Sequence, residues 1–208
     1  MKKNVFILLF CSIFFQIHAR TIRVSNFKEL QTANNEVVPG DSIILKNGNW
    51  EDCKIVLSCN GTSSNPIVIK AETAGKVYVT GKSFLRINGN HLIVDGLYFI
   101  NGSAAEGNVW EFRSKDKVAS DCRITNCSIN GFNTIKRITE NYWVAFYGKN
   151  NRLDHCTFYN KKNLGVLIAV VLDDDRSRLN SHSIDSNYFA PRPPLSSNAG
   201  EIIRVGVS

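Results

Sequence analysis

A six-residue pattern that returns about every thirty residues is the feature that most constrains the fold of this chain. The pattern begins and ends on an apolar residue and carries polar or turn residues between them. Successive copies start 30, 29 and 31 residues apart, at 94–99, 124–129, 153–158 and 184–189. A period of this length is typical of stacked repeats, in which each unit buries its apolar face against the next.

The segments between the copies favour strands. Strand-like runs follow the copies at 109–113, 142–147, 165–172 and 201–207, and no helix-length amphipathic segment lies between them. This argues against leucine-rich and ankyrin arrays, and propeller blades would need a period nearer ~45 residues. The chain also has 23 asparagines among 208 residues, and asparagine tolerates the left-handed conformation of tight turns. We therefore predict an all-β chain that forms a parallel β-solenoid.

The first part of the chain departs from this pattern. Ser25 is a candidate N-cap for a short helix over 26–36, and a turn at 39–41 leads into a strand at 42–46. Further strands are expected at 66–71, 76–80 and 84–87. Since a solenoid needs a cover over its first coil, we expect this helix to be an N-terminal cap.

Residues 1–19 have the features of a secretory signal peptide, with Lys2 and Lys3 before an apolar run and Ala19 at the end. A buried N-terminal strand and lipid attachment at Cys11 are the alternatives. Removal of the signal would lower the net charge from +7 to +5 and leave a β-solenoid domain over 20–208 with no transmembrane segment. For such an exported protein, nucleic acid is an unsuitable partner, whereas an acidic polysaccharide would suit the basic charge.

Five cysteines remain after residue 19, and an odd number leaves at least one thiol unpaired. Cys53 and Cys59 could form a disulfide. Cys127 and Cys156 occupy the same place in successive copies of the pattern, where Asn187 follows. We expect these two thiols to stack as small buried side chains rather than to bridge, and a buried Asn187 would need partners for its amide.

Few local motifs indicate chemistry. Phosphate-binding loops, paired-cysteine metal motifs and nucleophile elbows are missing from the sequence, and the histidines are best explained as structural. The carboxylates at 173–175 are either calcium ligands or a solvated turn. Arg192 lies in a loop stiffened by three prolines, which suits an anionic ligand. Arg204 is expected to point outward from the last strand.

The segments 183–195 and 198–206 resemble the alginate lyase and chondroitinase B family, polysaccharide lyase family 6. Upstream, residues 38–45, 79–83 and 94–99 are similar to the first coils of that family. The resemblance implies a right-handed parallel β-helix. It also implies β-elimination on a uronic-acid polysaccharide such as alginate or dermatan-type chondroitin, with Arg192 and Arg204 as candidate substrate contacts.

The resemblance further implies a Ca²⁺ ion that neutralises the uronate carboxylate, with Asn198 matching one ligand. Two glutamate ligands, the base lysine and an assisting arginine have no matching positions up to Ser208. The chain is therefore expected to be the N-terminal portion of a lyase, truncated at its C-terminus, without catalytic residues and inactive alone. The alternatives are a non-catalytic β-helix that binds acidic polysaccharide and another carbohydrate-active β-helix enzyme that uses paired carboxylates.

Overall fold

The computed structural model describes residues 19–173, 175–193 and 201–207. Over these residues the chain winds into a right-handed parallel β-helix whose strands form three long sheets and one small hairpin. The predicted fold class is thereby confirmed. Residues 1–18 of the predicted signal peptide 1–19, Asp174 and the predicted calcium ligand Asn198 lie outside the described residues.

From β2 onward, each coil contributes one strand to each of the three sheets, and β1 adds a seventh strand to the first. The first sheet contains β1 Thr21–Val24, β2 Ser42–Leu45, β5 Ile67–Ala71, β8 Leu92–Asp95, β13 Arg123–Thr125, β16 Arg152–Asp154 and β19 Ser183–Asp185. The second contains β3 Gly48–Glu51, β6 Val77–Lys82, β9 Leu97–Ser103, β14 Ser128–Asn130, β17 Thr157–Tyr159 and β20 Tyr188–Phe189. The third contains β4 Lys54–Leu57, β7 Phe84–Ile87, β10 Trp110–Glu111, β15 Val144–Phe146, β18 Ile168–Val171 and β21 Ile203–Val207.

Four short elements lie outside these sheets. The hairpin strands β11 and β12 pair antiparallel beside the third sheet. They and the two helices are β11 Arg113–Ser114, β12 Lys117–Val118, α1 Phe27–Glu36 and α2 Asp175–Arg178. Neither helix is long and apolar enough to cross a membrane, as is true of every helix in the described ranges.

Each copy of the six-residue pattern holds two strands, not one. A single residue with positive φ separates the strand of the first sheet from that of the second: Gly96 (+80°), Asn126 (+52°), His155 (+53°) and Ser186 (+56°). The alternation of apolar and polar residues did not reveal this break, because one left-handed residue turns the chain without interrupting the pattern. The coil therefore has three sides, whereas the sequence indicated only two strands per repeat.

Equivalent apolar positions stack in columns inside the coils. Ile124 pairs in register with Val94 and Leu153, and Ile129 pairs with Phe99 and Phe158. All six side chains are buried. The ring of Phe158 also stacks on Phe189, with centroids 5.3 Å apart. Burial of such large apolar side chains is the main stabilising term available to this fold.

The five described cysteines are all buried and unpaired. Cys127 and Cys156 lie in the interior column, which confirms the stacked arrangement, and the alternative Cys53–Cys59 disulfide is absent. The Cys127 Sγ accepts a hydrogen bond from the Leu97 amide at 3.3 Å. Two coils later the Asn187 side chain takes the same role, accepting from the Cys156 amide at 2.9 Å and donating to the Leu153 carbonyl.

Helix α1 covers the first coil, as predicted, and buries Leu30 and Ala33 against it. Its N-cap is Asn26 rather than Ser25, because the Asn26 side chain accepts from the Glu29 amide at 2.9 Å. Ser25 instead donates its amide and hydroxyl to the Glu29 carboxylate. The helix therefore begins one residue later than the sequence indicated, and two residues share the capping role.

A buried asparagine closes the turn between the third and first sheets. Asn151 accepts from the Cys122 amide at 3.0 Å and donates to the carbonyls of Ala119 and Tyr147. The backbone amide of Asn151 donates to His182 Nδ1 at 3.1 Å. Burial lowers the pKa of His182 to about 4, so this histidine is neutral near pH 7 and structural, as expected.

Lys161 is almost completely buried, at 1% exposure. Its Nζ lies 3.0 Å from the Asn141 carbonyl, 3.2 Å from Asn163 Oδ1 and 3.3 Å from the Leu164 carbonyl. Burial is the main cause that lowers its pKa to about 7, and Arg192 contributes repulsion. Lys161 thereby joins the loop that precedes β15 to the loop that precedes β18.

We predict that Asn151→Ala lowers the free energy of unfolding by about 2–4 kcal/mol, because it leaves one amide and two carbonyls buried without partners. Urea unfolding followed by circular dichroism measures this. Asn49→Ala is the matched control, since Asn49 is exposed and its loss should cost less than about 0.5 kcal/mol. Equal effects of the two substitutions would contradict the role assigned to Asn151.

We predict that the free energy of unfolding of the wild type, minus that of Lys161→Met, increases as the pH is raised from 7 to 8.5. The pKa of Lys161 is about 7 when folded and near 10.5 when unfolded, so in this window the unfolded chain binds more protons. Stability then rises by up to about 1.4 kcal/mol per pH unit. The exposed Lys162→Met is the control; a difference between wild type and Lys161→Met that stays constant with pH would contradict the prediction.

Candidate functional site

The outer face of the third sheet carries a continuous row of side chains in register from coil to coil. The row is set by the alternation of the strands, since Leu85, Trp110, Val144 and Ile168 point into the core. Its members are Val56, Arg86, Glu111, Ala145, Ala169 and Arg204. Ala145 and Ala169 at the centre are fully buried, and Arg86 and Glu111 are nearly so, whereas Val56 and Arg204 at the two ends are partly exposed. Arg204 therefore offers a ligand a charged group at the end of the row.

Arg86 and Glu111 form a buried ion pair in this row, with Nε 3.5 Å from Oε2. The Arg86 guanidinium also donates to the carbonyls of Asn108 and Glu106. Asn108 in turn donates to the Glu111 carboxylate at 2.7 Å. Burial lowers the pKa of Arg86, and its attraction to Glu111 opposes this. With its donors turned to these partners, Arg86 holds the loop before β10 against the sheet.

Arg113 and Tyr147 form the side wall of the surface. The Arg113 guanidinium lies 3.6 Å from the centre of the Tyr147 ring. It also donates to the Tyr147 hydroxyl at 2.8 Å and pairs with Asp173 at 3.1 Å. Burial raises the pKa of Tyr147 to about 12, so the phenol stays protonated. The ring packs on Ala145 and Val171 in a small apolar cluster outside the β-helix core.

Arg192 and Arg204, the two predicted substrate contacts, both donate hydrogen bonds to Glu201. Arg192 donates to the carbonyls of Asn163, Gly165 and Glu201, and burial lowers its pKa. Arg204 lies in register with Ala169 in the outer row and donates to the Glu201 carboxylate at 2.9 Å. Arg204 is thus directed towards the surface, whereas Arg192 is bonded to backbone oxygens of two neighbouring loops.

The predicted metal ligands are not brought together by the described residues. Asn198 lies outside them, and they contain no group of three or more histidine, cysteine, aspartate or glutamate side chains that could hold a metal ion. In the carboxylate run, Asp173 pairs with Arg113 and Asp175 pairs with Arg178. The donor set in the described ranges therefore does not by itself fit Ca²⁺.

The sequence analysis missed several residues of this surface. Arg86, Glu111, Arg113, Tyr147 and the neighbouring buried Lys161 carry no motif. The one available signal was the position of Arg86 and Glu111 between apolar neighbours of short strands, which places a charge on an outer face. Their pairing depends on which residues of successive coils lie side by side, and this register cannot be read from the sequence.

Comparison with known proteins gives a consistent result. The family model for Chondroitinase B matches residues 24–208. Among curated proteins no match was found. Among solved structures, the PL6 family alginate lyase AlyGC is similar at a TM-score of 0.87 and 42% identity, over 89% of this chain and 26% of that one.

Two further structures are similar. A PL6 family polysaccharide lyase from Pseudopedobacter saltans has a TM-score of 0.79 and 36% identity, over 89% of this chain and 41% of that one. A mannuronic acid specific family 6 lyase from human gut microbiota has a TM-score of 0.81 and 36% identity, over 90% and 44%. The chain thus spans between about a quarter and under half of the length of these structures. From its coils, its outer row and these matches, the chain belongs to the chondroitinase B family, within polysaccharide lyase family 6.

Proposed function

We propose that the enzyme containing these coils is an exported lyase that cleaves a uronic-acid polysaccharide, of the alginate or dermatan type, by β-elimination. The observation that carries the proposal is the outer row of the third sheet, which ends in the partly exposed Arg204 next to the buried Ala169. A guanidinium that is open to solvent on an otherwise packed face suits a carboxylate-bearing polymer. Export would follow from the predicted signal peptide over 1–19.

The chemistry of the reaction sets what the site has to do. A base removes the proton on the carbon next to the uronate carboxylate, the bond to the leaving oxygen on the adjacent carbon breaks, and an unsaturated sugar forms. Neutralising the carboxylate makes that proton more acidic. A Ca²⁺ ion would supply this neutralisation when bound. In the proposal, this chain's own residues bind and orient the polymer, and Asn198 is a candidate ligand of the ion.

Arg204 and Arg192 have different parts in the proposal. Arg204 would contact the polymer directly, because its guanidinium is partly exposed and its carboxylate partner Glu201 is exposed as well. Arg192 donates to carbonyls at both of its terminal nitrogens, so it would act as a positioning residue that joins Glu201 to the loop before β18.

A non-catalytic β-helix that binds acidic polysaccharide is the second candidate function. The same outer row supports it, because binding requires the partly exposed Arg204 but no base. Detection of unsaturated uronate distinguishes the two candidates when it is measured on the enzyme that contains these coils.

We predict that Arg204→Ala weakens binding of alginate by about tenfold, equivalent to about 1.4 kcal/mol, because a charge-assisted contact to a carboxylate is lost. Isothermal titration with alginate oligosaccharides and with dermatan sulfate measures this and identifies the polymer. Arg178→Ala is the matched control, since Arg178 is exposed on α2 and pairs with Asp175 of the same helix.

For the 208-residue chain we expect no rise in absorbance from unsaturated uronate; clear turnover would overturn the placement of the catalytic residues.

We predict that Asn198→Ala lowers the affinity for Ca²⁺ and the rate of the enzyme containing these coils together. The amide oxygen is the donor type that calcium prefers, and its loss removes one ligand. Calcium titration by calorimetry measures the affinity without dependence on turnover. Asn180→Ala is the control, because Asn180 makes a local hydrogen bond within the turn after α2. An unchanged calcium affinity would remove Asn198 from the proposed site.

A further inference from the structure

The outer face of the second sheet carries most of the tyrosines of this protein. We call Tyr78, Tyr98, Tyr159 and Tyr188 the tyrosine face; they are four of the six tyrosines in the chain. Tyr78 and Tyr98 are in register on adjacent strands, and Tyr188 ends the same row after Ser128 and Thr157. Tyr159 stands in the next row, in register with Asn130.

The four rings form two tilted pairs on this surface. The centroids of Tyr78 and Tyr98 are 6.0 Å apart, and those of Tyr159 and Tyr188 are 5.7 Å apart. Tyr188 is 55% exposed and Tyr159 is 38% exposed, while the other pair is half-buried. Large aromatic rings open to water on both ends of one face are unusual enough to indicate a binding surface.

Polar groups lie between the two pairs. Asn130 donates to the Tyr98 hydroxyl at 2.9 Å and accepts from Asn160 at the same distance. This chain of bonds orients the amides and the phenol without using up all their donors and acceptors. Ser128 and Thr157 add hydroxyls in the gap. The face therefore alternates ring surfaces with hydrogen-bonding groups, which matches the apolar and hydroxyl-bearing sides of a sugar.

The tyrosine face itself is uncharged, and charged side chains lie at its margins. The outward side chains of β9, β14, β17 and β20 carry no charge. Lys76, Lys82 and Lys162 are exposed at the margins, and Glu51 of β3, in register with Thr80, is an exposed carboxylate at the Tyr78 end. The first sheet is different, because its outer face is occupied by the Arg123–Asp154 and Arg152–Asp185 ion pairs. The three lysines are complementary to a polymer whose sugars carry carboxylates.

We propose that the tyrosine face is a second, non-catalytic binding site for the uronate polysaccharide. Adjacent strands lie about 4.8 Å apart, so the two tyrosine pairs are separated by a span on the order of 10–15 Å along the helix axis. A linear polysaccharide that crosses the strands would stack sugars on both pairs and place its hydroxyls over Ser128, Asn130 and Thr157. The identity of the polymer rests on the proposed function.

The tyrosine face is separate from the outer row that ends in Arg204, because the two belong to different sheets of the same coils. The described side chains of β9, β14, β17 and β20 include no carboxylate and no amine, so this face would hold polymer without cleaving it. Binding on a second side of the β-helix would keep the enzyme on a polymeric substrate while the outer row of the third sheet engages another segment.

The test is electrophoresis of the 208-residue chain in native gels that contain alginate, with gels of a neutral polysaccharide as reference. The variants are the double substitution Tyr98→Ala/Tyr188→Ala, its partner Tyr98→Phe/Tyr188→Phe, and Arg204→Ala. Leu179→Ala is the matched control, because Leu179 is 87% exposed but lies in a turn away from the second sheet. Circular dichroism establishes that each variant is folded.

The expected result is retardation of the wild type by alginate, at least a fivefold rise of the apparent dissociation constant in the alanine double variant, and near wild-type retardation in the phenylalanine variant. Wild-type retardation of the alanine double variant would overturn the tyrosine face even if Arg204→Ala binds weakly, which would leave the proposed function standing. Loss only in the alanine double variant would support the tyrosine face and count against Arg204 as a contact. No retardation of the wild type would overturn the tyrosine face.

Discussion

Parallel hydrogen bonding between equivalent strands of successive coils is the constraint on which the rest of this structure depends. Val94 lies in register between Ile69 and Ile124, and Phe99 lies between Val79 and Ile129. Because side chains alternate along a strand, a shift of one residue would move every core side chain outside. The same register places Arg204 over Ala169 and Tyr98 over Tyr78, so both candidate binding surfaces follow from the packing of the core.

Stacking of coils also requires that the corners be closed without unpaired polar groups. Single left-handed residues such as Asn126 and His155 turn the chain between the first and second sheets. Where a corner is buried, a side chain completes the hydrogen bonding, as Asn151 does for Cys122 and Asn187 does for Cys156. The excess of asparagine in the sequence is therefore explained by two separate needs, one conformational and one for hydrogen-bonding partners.

Much of the fold could be predicted because each repeat must bury apolar residues at the same positions, so the pattern occurs several times in the sequence. The period, the cap helix and the stacked Cys127 and Cys156 followed from the pattern, whereas the two strands within each copy and the N-cap at Asn26 did not. The candidate site was harder. Arg204 could be placed on an outer face by alternation, but Arg86, Glu111 and Lys161 acquire their surroundings from loops of irregular length, for which the repeat supplies no rule.

The sequence by itself determined that this chain stacks short parallel strands, because apolar residues recur at a period that only a solenoid can bury, and its C-terminal motif placed the chain near the lyases of family 6. The tertiary structure decided which charged groups stand side by side. Lys161 is enclosed by neutral oxygens, Arg192 is bonded to carbonyls, and Arg204 remains at the surface. These differences arise from burial and from contacts across coils. Both depend on the strand register and on loop packing, which the local sequence does not determine.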